Sequence, residues 1–362
     1  MKVIVAMSGG VDSSVVAHLL KEEGHEVIGL SFELWDKRDL KASNVCCSLE
    51  TIQLARTVAE SLGIEHHTVD VRDTFYTCVI EEFCDSYIRG VTPNPCILCN
   101  RYIKFEFLLQ KARELGADRV ATGHYARIEK GRVSGIRDQG AGNERYLLRK
   151  GTDPKKDQSY VLYVMKQDEL AMTIFPLGEF NKEKTRAVAA EIGLASATRP
   201  ESQEICFVGD DRYADFIKDF SPESVQPGQI VDSSGTVVGE HRGIAFYTIG
   251  QRRGLGIAAP EPLYVIDIDR RDNRVIIGQR EEAMRKTFKV KELNWVALSS
   301  LEEPIKAQVK MRSTMKEEPA MIRPESDGMI NVEYDEPQWA PAPGQSAVFY
   351  LDDTVLGGGI ID

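Results

Sequence analysis

The sequence predicts an α/β chain: a Rossmann-like parallel sheet first, then two smaller β-rich or β-barrel units. Three observations predict it. Over residues 1–70, apolar β-prone runs alternate with helical apolar spacing, the pattern of a parallel sheet with helices on both faces. Beyond about residue 210, short β-prone runs are separated by Gly, Pro and Asp turns, as in small barrels. Between the first strand and the first helix lies Ser8-Gly9-Gly10-Val11-Asp12-Ser13-Ser14, at a strand end where such sheets bind ligands.

The elements follow in order. Residues 2–7 are apolar and β-prone, and Val15, Val16, Leu19 and Leu20 fall at helical spacing. The run at 8–14 is therefore a tight turn from a buried strand into a helix. Gly9 and Gly10 permit positive φ and leave no Cβ to block a ligand. The helix behind them aims N–H groups and its positive dipole end at the turn. Ser8, Ser13 and Ser14 add hydroxyls, so the turn reads as a cradle for phosphate oxygens. It is not G-x-x-x-x-G-K-[ST], because no lysine stands beside the serines. The plainer reading is a Gly-Ser turn with Asp12 or Ser13 capping the helix. Strands over 26–32 and 64–70 flank a helix over 49–62; the end of the second strand, at Leu30 to Phe32, offers apolar groups to an adenine.

Composition sets limits. At 362 residues there is room for two or three domains. The formal net charge of −11 argues against tight nonspecific nucleic-acid binding. No apolar run approaches the roughly 20 residues that span a membrane, and the chain opens directly on a strand with no signal peptide. Seven cysteines in such a chain suit a reducing cytoplasm and thiols that do chemistry. Cys46 and Cys47 are adjacent in a polar loop and read as incidental; Cys78 and Cys84, in a helix over 75–88, read as small core side chains.

Thr92-Pro93-Asn94-Pro95-Cys96-Ile97-Leu98-Cys99 precedes a helix over 100–115. Cys96 and Cys99 are thus expected at a helix N-terminus, where the dipole favours thiolate, for redox chemistry or a metal. A strand over 117–123 delivers Gly123 and His124 to the same sheet end. A hairpin over 125–150 carries Arg127, Lys130, Arg132, Arg137, Arg145, Arg149 and Lys150, with Lys155 and Lys156 close behind; it reads as a local basic surface for nucleic acid. A polar link over 195–203 leads to Cys206, whose apolar neighbours suggest an inert thiol. Strands are expected at 228–231, 237–238, 244–249, 263–269, 274–278, 289–296, 305–312, 329–334, 346–350 and 355–361. The domains are placed at 1–205, 206–280 and 281–362. The basic loop at 250–256 reads as either a phosphate-backbone contact or a wide turn.

The run at 8–14 resembles the S-G-G-x-D-[ST]-[ST] signature of the PP-loop ATP pyrophosphatases, a Rossmann-like fold of the adenine nucleotide alpha hydrolase type. Further motifs resemble one branch of it, the tRNA 2-thiouridylases (the MnmA/TrmU family). They are 92–95 with Cys99-Asn100, 121–125, 156–160, Ile205-Cys206-Phe207, 250–252, 343–350 and 356–359. The resemblance implies an enzyme that spends ATP, with Mg2+, to adenylate the C2 oxygen of the wobble uridine in tRNA, and then puts sulfur in its place. It implies that Ala6, Met7, Ser8, Gly9, Gly10, Val11, Asp12, Ser13, Phe32 and Gly123 hold ATP. It makes Cys99 the nucleophile and Cys206 a persulfide carrier, and puts His124, Lys156, Asp157, Gln158, Arg312, Ser313 and Gln345 against tRNA. The sulfur donor would be a persulfide relay protein or free sulfide, and the chain a cytoplasmic monomer. One position departs: Cys96 stands where many members have aspartate. Some related tRNA-thiolating enzymes hold a 4Fe-4S cluster through three cysteines, so Cys96, Cys99 and Cys206 are candidate ligands of such a cluster, with a zinc site and a persulfide relay, closing on a disulfide bond, as competitors. The alternative activity is a PP-loop ligase or amidotransferase acting on a small molecule.

Overall fold

The computed structural model describes residues 1–34, 49–133, 136, 144–194, 205–208, 213–222 and 225–362. Cys46, Cys47, Arg137 and the link at 195–203 lie outside them.

The first domain contains β1 (Lys2–Ala6), α1 (Val11–Glu22), β2 (Glu26–Glu33), α2 (Leu49–Leu62), β3 (Glu65–Asp70), α3 (Pro95–Cys99), α4 (Phe105–Glu114), β4 (Arg119–Ala121), β5 (Ala126–Gly131), β6 (Arg145–Lys150), β7 (Thr173–Ile174) and α5 (Lys182–Glu191). Five strands form one sheet in the order β3-β2-β1-β4-β7, parallel throughout. The chain runs outward from β1 through β2 to β3, then resumes on β1's other side with β4. That reversal puts the topological switch point at the carboxyl ends of β1 and β4. Side chains alternate across the sheet as the two-residue period requires. Ile4 joins a core with Phe75, Phe83, Cys99 and Phe207, while Val3 and Val5 join the opposite core with Val15, Val16 and Ala55.

The segment that precedes the helix expected over 100–115 is itself helical at α3. The reason is local: Pro95 suits a first turn, and Asn94 Oδ1 accepts the Ile97 N–H at 3.4 Å. Helix α3 continues into α4 through a wider π turn over Asn100–Lys104, a local bulge of the kind that gathers at functional sites. The expected helix over 75–88 is likewise split by a π turn over Tyr76–Glu81.

α6 (Tyr213–Phe220) leads to β8 (Gly228–Asp232), β9 (Val237–His241), β10 (Tyr264–Asp269) and β11 (Arg274–Gly278), a four-stranded sheet in the order β10-β11-β8-β9. The strand expected over 244–249 is a short 3₁₀ turn at Ile244–Phe246. The last domain is β12 (Met284–Trp295), β13 (Ile305–Lys310), β14 (Glu318–Pro324), β15 (Ile330–Trp339), β16 (Ser346–Leu351) and β17 (Thr354–Ile361). Its order, β12-β15-β14-β13-β16-β17, closes through the β12–β17 pairing into a barrel. Strand β14 was missed, because Pro319 and Pro324 masked it.

The hairpin of β5 and β6 leaves the parallel sheet and extends this barrel, pairing Arg149 with Thr354 of β17. Arg127, Arg145, Arg149 and Lys150 are engaged there. Asp353 Oδ2 accepts Arg127 at 2.7 Å and its Oδ1 accepts Arg149 at 2.7 Å. Lys150 pairs with Glu317 and Lys130 with Glu144, and Arg145 Nε donates to the Val296 carbonyl at 3.2 Å. What reads in sequence as a basic face is, at these positions, a dock for the barrel. Burial would push the Asp353 carboxyl up, but Arg149 and Arg127 hold it below its usual value. Asp353→Asn should therefore cost about 1 kcal/mol at neutral pH. A carboxylate held low stabilises above its unfolded value and loses that contribution as pH falls, so the gap to wild type in thermal melts should close below about pH 4.

Candidate functional site

The turn after β1 has the bareness its sequence predicts. Gly9 sits at φ +72°, and a Cβ there would lie 2.3 Å from the Thr51 carbonyl oxygen. Helix α1 begins after Gly10, and among the described residues no side chain caps it. The capping reading for Asp12 or Ser13 is thereby set aside. The serines brace the turn: Ser8 N–H donates to Ser13 Oγ at 3.2 Å, and Ser14 Oγ donates to the Gly10 carbonyl at 2.9 Å. Gly123, just past β4, closes the other wall; a Cβ there would meet Asp12 Cβ and Ser13 N, each at 3.0 Å. Met7 N–H donates to the Leu30 carbonyl at 2.7 Å, and Phe32 is buried in β2. The residues expected to hold a nucleotide therefore converge on the switch point.

Asp12 is held by two partners that sequence reading missed. Tyr125 OH donates to Asp12 Oδ1 at 2.8 Å. Lys182 Nζ donates to Oδ1 at 2.8 Å and Oδ2 at 2.9 Å from 170 residues away. Only the packing of α5 beside α1 creates this pair, so no local motif announces it. Below Tyr125, Gln158 is folded back: its Oε1 accepts the Tyr125 N–H at 3.0 Å, and its own N–H reaches the Tyr125 carbonyl at 2.9 Å. Asp157 accepts from Gly151 N–H at 3.1 Å and from Ser159. Lys156 ends the turn just before Asp157.

His124 is 8% exposed, stacked on Phe105 and set edge-on to Phe175, with its Nδ1 2.7 Å from Thr122 Oγ1. Burial, with a smaller contribution from Lys104, pulls its imidazole well below the ordinary value, so it is neutral.

Cys99 is 6% exposed and Cys206 half-buried; both pack in the core with Phe83, Ile103 and Phe207. Cys96 is exposed. Among the described residues no three His, Cys, Asp or Glu side chains stand together to hold a metal ion. Cys84 is buried and its thiol is pushed up to about 12, as an inert core thiol should be. Asn100, 1% exposed, donates through Nδ2 to the Val161 carbonyl at 2.8 Å, while its Oδ1 is buried without a partner.

The C-terminal barrel reaches this helix. Gln345 Nε2 donates to the Thr92 carbonyl at 3.0 Å and lies 3.3 Å from that of Pro93. Arg312 Nη2 donates to the Ala340 carbonyl at 2.8 Å. Arg312, Gln345, Thr92, Tyr87, Gln251 and Arg253 line a cavity of about 570 Å³ where the three domains meet. The loop at 250–256 is thus one wall of that cavity. Ser313 is exposed at the surface.

Family profiles match in the same three pieces: a tRNA methyl transferase HUP domain over 1–210, a tRNA methyl transferase PRC-barrel domain over 214–279 and an aminomethyltransferase beta-barrel domain over 285–361. A tRNA-specific 2-thiouridylase of Caldanaerobacter subterraneus subsp. tengcongensis is 47% identical over 364 residues, covering 100% of this chain and 98% of that one. The chain belongs to the tRNA-specific 2-thiouridylase family. A 2-thiouridylase of Clostridioides difficile is 44% identical over 362 residues, covering 100% of this chain and 98% of that one. One of Acetivibrio thermocellus is 46% identical over 363 residues, covering 99% of each. Within this 2-thiouridylase chain, the sequence motifs located the cradle and the thiols; Lys182, Tyr125 and the buttress from the barrel emerge only in three dimensions.

His124 gives a test of the buried geometry. An imidazole held low in the fold leaves the unfolded chain to take up the proton first, so stability should fall as pH drops below about 6.5, by up to about 1.4 kcal/mol per unit. His124→Gln should flatten that part of the denaturation profile between pH 6.5 and 5, as read in urea titrations; an unchanged slope would show that His124 is not the group responsible.

Proposed function

We propose that this protein is a tRNA sulfurtransferase that uses ATP, with Mg2+, to replace the C2 oxygen of the wobble uridine by sulfur. The observation that carries the reading is one chain holding both a side-chain-free cradle at Gly9 and two thiols, Cys99 and Cys206, in one apolar cluster. A carbonyl oxygen of a uracil ring is a poor leaving group. Attack by that oxygen on the α-phosphorus of ATP breaks the bond to pyrophosphate and leaves the oxygen as part of AMP, which departs readily. The base must leave its stack to be reached, which suits single-stranded anticodon-loop RNA.

Sulfur then needs a soft, ionised form. A persulfide on Cys206 attacks C2 through its terminal sulfur and AMP leaves with its bonding pair. The Cys99 thiolate then attacks the Cys206 sulfur and breaks the S–S bond. The outer sulfur stays on C2, and a Cys99–Cys206 disulfide forms, to be reopened by a dithiol reductant. A persulfide donor protein then passes its outer sulfur to the Cys206 thiolate and leaves as a thiol; inorganic sulfide reloads Cys206 only by opening the Cys99–Cys206 disulfide in place of the dithiol, its sulfur bonding to the Cys206 sulfur while Cys99 leaves as thiolate. This scheme uses Cys99 and Cys206 as a persulfide relay and routes no step through a three-cysteine cluster. The protein works as a monomer in the cytoplasm; among the described residues no helix is long and apolar enough to cross a membrane.

Thiolation of unmodified tRNA, followed by mass spectrometry of its nucleosides, tests the scheme. Cys99→Ser and Cys206→Ser should each lower 2-thiouridine by at least about a hundredfold while tRNA-dependent pyrophosphate release persists. Cys96→Ala should stay within about threefold of wild type. Pyrophosphate release that ignores tRNA and follows a small metabolite would instead indicate a small-molecule ligase; loss of thiolation in Cys96→Ala together with iron and labile sulfide in anaerobic wild-type protein would restore the cluster.

A further inference from the structure

The phosphate cradle has a charge problem. Its loop carries Asp12 but no basic residue between Ser8 and Ser14. A carboxylate beside a triphosphate repels it, and at close range that repulsion is large. Phosphate loops of the G-x-x-x-x-G-K-[ST] kind solve this with a lysine in the loop itself. Here the structure brings one from elsewhere.

Lys182 is the first residue of α5, behind the Asn181 cap, whose Oδ1 accepts the Lys184 N–H at 2.8 Å. Its backbone N–H donates to Asp153 Oδ2 at 3.2 Å. Its ammonium grips both Asp12 oxygens, at 2.8 and 2.9 Å, and stands 5.7 Å from the centre of the Tyr125 ring. The Lys182 side chain is only 14% exposed, against 32% for Asp12. A stem so well enclosed keeps the charge at the loop rather than in solvent. Asp12 is also held by Tyr125 OH at 2.8 Å, so its orientation does not depend on Lys182 alone. Among the described residues no side chain caps α1, and its N–H groups open on the same space.

We propose that Lys182 is the cation of this cradle: its ammonium binds the β- and γ-phosphates of ATP and offsets the charge that builds on pyrophosphate as it leaves. Asp12 is the residue that aims it. The step moves no proton; the α-phosphorus–oxygen bond breaks with its electrons going to pyrophosphate, and Lys182 stabilises that charge by position. The inference rests on the proposed use of ATP, and it does not depend on which acceptor is adenylated.

AMP lacks the β- and γ-phosphates, so it separates a charge role from a loop-bracing role. Calorimetric affinities for ATP and for AMP, both with magnesium, should be compared in wild type, Lys182→Met and Lys182→Arg. The expected result for Lys182→Met is a ten- to roughly hundredfold weaker ATP affinity with AMP within about twofold, and partial recovery of ATP affinity in Lys182→Arg. Equal losses for ATP and AMP would overturn the proposal and make Lys182 a brace for the loop. ATP affinity unchanged in Lys182→Met would overturn it as well. Wild-type protein that binds ATP over AMP through Lys182 but yields no thiolated tRNA would sink the proposed function and leave this assignment standing.

Discussion

The site depends on one close approach. The backbone of Gly9 passes so near the start of α2 that a single Cβ would stand 2.3 Å from the Thr51 carbonyl oxygen. Positive φ at Gly9 then turns the chain from β1 into α1 without any side chain over the helix N-terminus. Those two facts explain why the cradle is open and why it lies at the switch point. Had the sheet order run outward in one direction only, β4 would not flank β1, and Gly123 would not form the second wall.

A second constraint sets the thiols. The helix bearing Cys96 and Cys99 is not held by the first domain alone. Thr92 N–H donates to the Pro343 carbonyl at 2.9 Å, and the Tyr160 hydroxyl lies 3.0 Å from the Met311 carbonyl and 2.9 Å from that of Ser346. Tyr163 OH meets Ser346 Oγ at 3.1 Å. Burial raises the Tyr160 and Tyr163 hydroxyls far enough that both stay protonated. The barrel thus serves the helix of Cys96 and Cys99 as a buttress, and the run 343–346, legible in sequence only as a motif, is its contact edge.

The fold was legible wherever period and punctuation agreed. Residues 1–70 gave the parallel strands because their apolar runs are separated by helical spacing. The closed barrel was legible as short strands, apart from β14, where two prolines hid an otherwise regular strand. The site was half legible. Gly9, Gly10 and Gly123 follow from steric need, and the thiols from their motifs. Lys182 could not be read, because a lysine after an asparagine cap looks like any surface helix start; its meaning arises from the packing of α5 on α1. The partners of Arg127, Arg149 and Lys150 were hidden for a related reason. Sequence counts cations but not partners, and Asp353 and Glu317 lie 167 to 226 residues downstream of the cations they meet.

That pairing changes how an acidic chain must meet an RNA. A net charge of −11 repels a phosphate backbone, and Arg127, Arg149 and Lys150 of the hairpin already face carboxylates of the barrel domain. Longer-range attraction is further screened beyond about 10 Å at ordinary salt. Affinity for tRNA, on the proposed reading, must then come from a few well-placed donors and from shape. The cavity where three domains meet fits that need: Arg312 and Arg253 stand in it beside Tyr87 and Gln251, and burial lowers the Arg312 guanidinium from its ordinary value without removing its charge. A half-buried arginine forms stronger hydrogen bonds than one in bulk water, because fewer solvent molecules compete for its donors. Recognition built this way is selective for a folded RNA that presents its loop to the cavity, and it is weak toward nucleic acid in general.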